Sequence, residues 1–144
     1  MEVINLSDNR LTDASLMPLA LKLERLTSLT SLDLSHNKID DSSRVIQAYI
    51  CSERCTLRSL ALEGADIDDA ECCSLVDALI ANRSIETLSL AKNKIGSNEL
   101  LNVVMPDVET GGEALARLLL KNSTITSLDL SWNAIRLASA EQVC

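Results

Sequence analysis

The chain has 144 residues, of which 47% are hydrophobic and only 1% aromatic, with no Phe, one Trp and one Tyr. That length supports one domain with a real core, but one filled by Leu, Ile, Val and Ala in place of large rings, as in an array that reuses one small mould. The formal net charge of −8 leaves no basic footprint for nucleic-acid phosphates and no polybasic patch for a membrane surface.

Five cysteines (Cys51, Cys55, Cys72, Cys73, Cys144) form no Cys-x-x-Cys pair, and His36 is the one histidine. An odd count without a framework argues against a secreted disulfide scaffold, and the set does not make a zinc site. No metal or other cofactor is expected. The opening Met1-Glu2-Val3-Ile4-Asn5 lacks the basic and apolar regions of a signal peptide. No apolar run reaches the length of a membrane span. The expected location is intracellular, in the cytoplasm.

In chain order, one pattern recurs: apolar residues at places one, four, six and eleven, and Asn at nine. It reads Met1, Ile4, Leu6, Asn9, Leu11, and then Leu29, Leu32, Leu34, Asn37, Ile39. The third copy is Leu57, Leu60, Leu62, Ala65, Ile67, and the fourth Ile85, Leu88, Leu90, Asn93, Ile95. The fifth is Ile125, Leu128, Leu130, Asn133, Ile135. Starts at 1, 29, 57 and 85 lie 28 residues apart, and the last step, to 125, is 40. Places four and six alternate inward, so each copy predicts a short strand, centred on Ile4, Leu32, Leu60, Leu88 and Leu128. Between strands the spacing turns helical: Leu19, Ala20, Leu23, then the weaker Gln47, Ala48, Cys51, then Leu75, Val76, Leu79, then Leu115, Ala116, Leu119. Asn9, Asn37, Asn93 and Asn133 are read as buried amides that satisfy turned-in backbone groups and link adjacent layers. Ala65 breaks that column, so its layer is expected to be the weak point, with a water or a backbone group filling in.

These motifs carry the leucine-rich-repeat signature. The 28-residue unit and the phrases Ala81-Asn82-Arg83-Ser84-Ile85 and Lys121-Asn122-Ser123-Thr124-Ile125 resemble the helix-to-strand connection of ribonuclease-inhibitor-like repeats, as in NOD-like receptors, tropomodulins and Ran GTPase-activating proteins. The resemblance covers nearly the whole chain. It implies an α/β leucine-rich-repeat solenoid, a right-handed β-α superhelix with a parallel sheet on the concave face and helices on the convex face. The expected organisation is a single domain over 1–144 of about five repeats, with an insertion around 96–110, and a fragment of a longer array.

Both termini look like cut edges of a stack, because the first residue is already in a strand motif. Exposed ends predict weak self-association, strengthened as salt screens the acidic charge. The insertion carries Leu100, Leu101, Val103 and Val104, and insertions in solenoids often serve binding.

The outward strand places form the candidate binding face. Its marked residues are Asn5, Asp33, Arg58, Glu63, Glu86, Lys92, Asp129 and Trp132. Counting also Glu2 and Asp8, the face holds six acids against two bases, which suits a basic protein partner. Catalytic residues are not expected: His36 among outward serines makes no triad, and four glycines make no phosphate loop. The reading is a protein–protein interaction module and not an enzyme, in a regulatory or sensing region of a larger protein. Two alternatives stand beside it. One is a GTPase activator of the Ran type, working through Arg10 or Arg136 at the rim. The other is a purely structural spacer.

Overall fold

A computed structural model describes residues 2–39, 43–97 and 108–136. The strands β1 (Glu2–Asn5), β2 (Leu29–Asp33), β3 (Ser59–Ala61), β4 (Thr87–Ser89) and β5 (Ser127–Asp129) pair in parallel, in chain order, as one sheet. Ile4 lies opposite Leu32, Leu32 opposite Leu60, Leu60 opposite Leu88 and Leu88 opposite Leu128. The repeat in the sequence is therefore the register of the sheet. Behind it, α1 (Asp13–Leu23), α2 (Ser43–Cys51), α3 (Asp69–Ala81) and α4 (Gly111–Lys121) each pack on the next. This is the α/β leucine-rich-repeat solenoid. Each layer buries its apolar strand places against its own helix and against its neighbours, which a single unit cannot do alone.

Local signals start the later helices. Asp68 caps α3: its carboxylate accepts from Glu71 N, while the Glu71 carboxylate accepts from Asp68 N. Thr110 and Glu113 repeat the exchange on α4. Leu75, Val76 and Leu79 of α3 and Leu115 and Ala116 of α4 are buried, as their spacing predicts.

Two helical columns differ from the sequence pattern. In α2 the buried residues are Ile46, Tyr49 and Ile50, whereas Gln47 is half-buried and Ala48 and Cys51 are exposed. The side chains of α2 account for the shift: Ile46 and Ile50 lie one place before Gln47 and Cys51 of the weak column, Tyr49 lies one place after Ala48, and the helix buries its more apolar face. Asn82 and Asn122 come directly after α3 and α4 and three residues before the next strand column. Arg54 holds that place after α2. In α4, Leu119 is 42% exposed and Leu118 is buried instead. Leu79, in the matching place of α3, is covered because α4 packs on α3; no described helix packs beyond α4.

The asparagine column can be followed atom by atom. Asn37 Oδ1 accepts from Asn9 N (3.1 Å) and Leu11 N (2.9 Å), and its Nδ2 donates to Leu6 O (2.8 Å) and Leu34 O (2.9 Å). Asn93 makes the same set one bridge on, accepting from Ala65 N and Ile67 N and donating to Leu62 O and Leu90 O. Asn133 accepts from Ile95 N and donates to Leu90 O. Asn9 is exposed and donates to Ser7 O within its own layer. Where Ala65 interrupts the column, its backbone carbonyl takes the place of the amide oxygen and accepts from Ile39 N at 3.1 Å.

A second ladder runs along the helix ends. Asn82 Oδ1 accepts from Ser84 N and Ile85 N while its Nδ2 donates to Ile50 O. Asn122 does the same, with donation to Leu79 O and Asn82 O. Its signal is present in the sequence, since both residues stand three places before the first apolar place of the next repeat.

Tyr49 is fully buried, and its hydroxyl has no hydrogen-bond partner of proper geometry among the described residues. Burial pushes the phenol up from its ordinary value. Removing an unsatisfied buried hydroxyl relieves a desolvation cost. Tyr49→Phe is therefore expected to leave stability unchanged or to raise it by up to about 1 kcal/mol. A urea midpoint lowered by the equivalent of about 1 kcal/mol or more would mean that the neighbouring Thr56 or a water satisfies the hydroxyl.

Candidate binding face

The outward face of the sheet is built by places two, three, five, seven and eight of each repeat. Beyond the strands the layers stay joined through place eight: Asp8 N donates to Ser35 O, His36 N to Glu63 O, Gly64 N to Ala91 O and Lys92 N to Ser131 O. Asp8, His36, Gly64, Lys92 and Trp132 all take φ between 54° and 59°. This left-handed turn is set by the repeat and not by residue type, since it is strain-free only for Gly64. It throws the place-eight side chains outward along one rim of the face.

Place five has a local duty as well as an outward position. Asn5 Oδ1 accepts from Ser7 N, Asp33 Oδ1 from Ser35 N and Asp129 Oδ1 from Ser131 N, each at 2.9 Å. These are side-chain-closed turns at the strand exit. The Ser131 N–H holds the Asp129 carboxyl below the usual carboxylate range. Place seven turns partly inward: Ser35 and Ala91, expected to face out, are buried, and Ser35 Oγ accepts from Glu63 N.

The charges are less one-sided than their count suggests. Arg58 pairs with Glu86 across adjacent layers, each just before its strand. Lys92 Nζ lies 2.6 Å from Glu63 Oε1, and His36 Nε2 lies 3.7 Å from the same oxygen. The imidazole crosses the space above Gly64, where a Cβ would fall 2.6 Å from His36 Nδ1. Layers two, three and four thus share one rim cluster. Both cations of the face are engaged, so Glu2, Asp8, Asp33 and Asp129 remain without a cationic partner among the described residues. Trp132 is 80% exposed at the β5 end of the rim.

Arg10 and Arg136 are exposed at opposite ends of the stack, in the first and last layers, so they do not converge on a common site. Cys51, read from its spacing as a packing residue, is exposed. Burial pushes the Cys72 thiol far up and the Cys73 thiol up to about 11, so neither supplies a thiolate near neutral pH. Among the described residues no group of three or more His, Cys, Asp or Glu side chains is placed to hold a metal, and no helix is long and apolar enough to cross a membrane. Leu100, Leu101, Val103 and Val104 of the insertion lie outside the described residues.

Comparison with known proteins adds independent findings. Residues 1–45 match a family model described as two copies of leucine-rich repeats, and residues 81–98 and 121–144 match a single leucine-rich-repeat model. The human protein named NACHT, LRR and PYD domains-containing protein 5 is 29% identical over an alignment covering 100% of the chain and 14% of that protein. Pig ribonuclease inhibitor is 35% identical over 76% of the chain and 24% of its own length. Mouse ribonuclease inhibitor is 30% identical over 100% of the chain and 36% of its own length. The chain therefore spans 14 to 36% of these relatives.

Proposed function

We propose that this chain, which belongs to the leucine-rich-repeat proteins of the ribonuclease-inhibitor-like class, is a protein-binding module that takes a basic partner on its concave face. The observation that carries the reading is the pairing pattern on that face. Its two cations are neutralised within the chain, while four carboxylates and an 80% exposed Trp132 are left for something else. Aromatic anchors beside unpaired charge are a common basis of recognition, with the charge steering encounter and the ring supplying buried area. The relatives named ribonuclease inhibitor bear a protein target in their name, which favours a protein partner here. A regulatory or sensing region of a longer, cytoplasmic protein is the setting that fits relatives of the NACHT, LRR and PYD type.

Trp132 is the one tryptophan of the chain, so its fluorescence reports on the face directly. Titration with a basic ribonuclease and with an acidic protein of similar size tests the proposal. The expected result is a shift in Trp132 emission with the basic probe alone. Its affinity should fall about tenfold or more in the Asp33→Asn, Asp129→Asn double variant and as salt rises from low to physiological strength. Binding that is indifferent to both charge and salt, or that leaves Trp132 silent, would place the contact elsewhere.

A further inference from the structure

We infer that Asp69, the first residue of α3, is the closing clamp of the insertion, and that it lets the stack carry a long excursion between its fourth strand and fourth helix without loss of register. The step from the fourth to the fifth repeat is 40 residues where the others are 28. In a solenoid such an excess must leave and re-enter one layer without prising it from its neighbours. The two points of departure and return are Gly96 and Gly111. Asp69 Oδ1 accepts from Gly96 N at 2.6 Å and from Gly111 N at 3.0 Å. Both amides converge on one oxygen atom, so the mouth of the excursion is closed to the width of a single carboxylate. Asp69 is only 2% exposed, and charge-assisted bonds of this kind are strong where water is excluded.

The residues at the mouth fit this role. A Cβ at Gly111 would strike the Asp69 carboxylate and Ile95 Cγ2, and a Cβ at Gly96 would lie 2.7 Å from Ala134 O. Glycine at 111 lets the backbone come this close to Asp69, and glycine at 96 lets it pass the Ala134 backbone of the fifth layer. The same helix holds the return limb at further points. Cys73 Sγ lies 3.5 Å from Glu109 O and Cys72 Sγ 3.9 Å from Gly111 O. Arg117 grips the Glu109 carboxylate with two 2.8 Å bonds and also reaches Asp77 of α3. The returning chain is thus fixed by side chains of α3 in the preceding layer and by Arg117 of α4, and the inference does not depend on what the excursion binds.

Hydrogen exchange of the Gly96 and Gly111 amides in the full chain tests the clamp, with Gly64 N, bonded to Ala91 O, as internal reference. In Asp69→Ala both glycine amides are expected to exchange at least tenfold faster relative to Gly64. In Asp69→Asn, which keeps an acceptor oxygen but not the charge, the increase should be smaller, about threefold to tenfold. Replacing residues 98–107 by a Gly-Ser segment of equal length should leave both amides within threefold of the parent. Exchange within twofold of the parent in both Asp69 variants would overturn the clamp. Collapse of protection in the Gly-Ser chain would do so too, since closure would then come from the excursion itself. Should Asp69→Ala fail to fold, the Asp69→Asn and Gly-Ser chains still decide the matter.

Discussion

Asn37→Ala will lower the stability of the chain by about 3 kcal/mol, measured as the urea midpoint with an unchanged slope. The side chain is 1% exposed and joins the first two layers through both its oxygen and its nitrogen. Alanine leaves Asn9 N and Leu11 N without an acceptor, and Leu6 O and Leu34 O without a donor. Each buried polar group so stranded costs about 1–3 kcal/mol, and the sum is reduced because Asn9 is exposed and Leu11 half-buried, so water reaches part of the stranded set. Asn9→Ala serves as the contrast. It occupies the same place in the repeat, but it is exposed and bonds within its own layer, so a change within about 0.5 kcal/mol is expected. Equal costs at the two positions would mean that the column contributes through local turn geometry and not through links between layers.

Gly96→Ala should be as damaging, at about 3 kcal/mol, by a different route. Its φ of +88° is a conformation that an L side chain adopts at a cost of about 1–2 kcal/mol. The new Cβ would also press on Ala134 O at 2.7 Å. That neighbour is backbone, which cannot swing aside, so overpacking adds about 1–3 kcal/mol. The fifth layer should loosen first, read as faster exchange of Ala134 N, which donates to Ile95 O. Gly64→Ala makes the control. Its φ is also positive, but the same turn already carries Asp8, His36, Lys92 and Trp132, and the atom in the way belongs to the His36 ring. A cost of about 1 kcal/mol, with His36 displaced, is expected there. If Gly64→Ala proved the worse of the two, the close approach of the fourth and fifth layers would not be what demands glycine at Gly96.

These two positions also mark where reading the chain as a string succeeds and fails. Asn37 announces itself because its column recurs at fixed spacing, and the need it meets, pairing of turned-in backbone, recurs with it. The binding face is half legible in the same way. The outward places of Asp33, Arg58, Glu63, Glu86, Lys92 and Asp129 follow from strand alternation. That Arg58 is spent on Glu86, and Lys92 on Glu63, does not, since pairing depends on which long side chains lean toward each other across strands. Place seven shows the limit of strict alternation: Ser35 and Ala91 turn inward because the chain leaves the strand at that point.

Period alone determined the order of layers, the parallel register through Ile4, Leu32, Leu60, Leu88 and Leu128, and the identity of most core residues. It could do so because each layer meets only its neighbours, and one local rule repeated five times is the global fold. The tertiary structure decided what no period encodes. It turned α2 onto Ile46, Tyr49 and Ile50, away from the column at Gln47, Ala48 and Cys51. It left Leu119 partly bare on α4, beyond which no described helix packs. It also set one buried carboxylate, Asp69, against two glycine amides from the next repeat. Each of these depends on which side chains meet across elements, and there only packing and the need to satisfy buried polar groups can choose the arrangement.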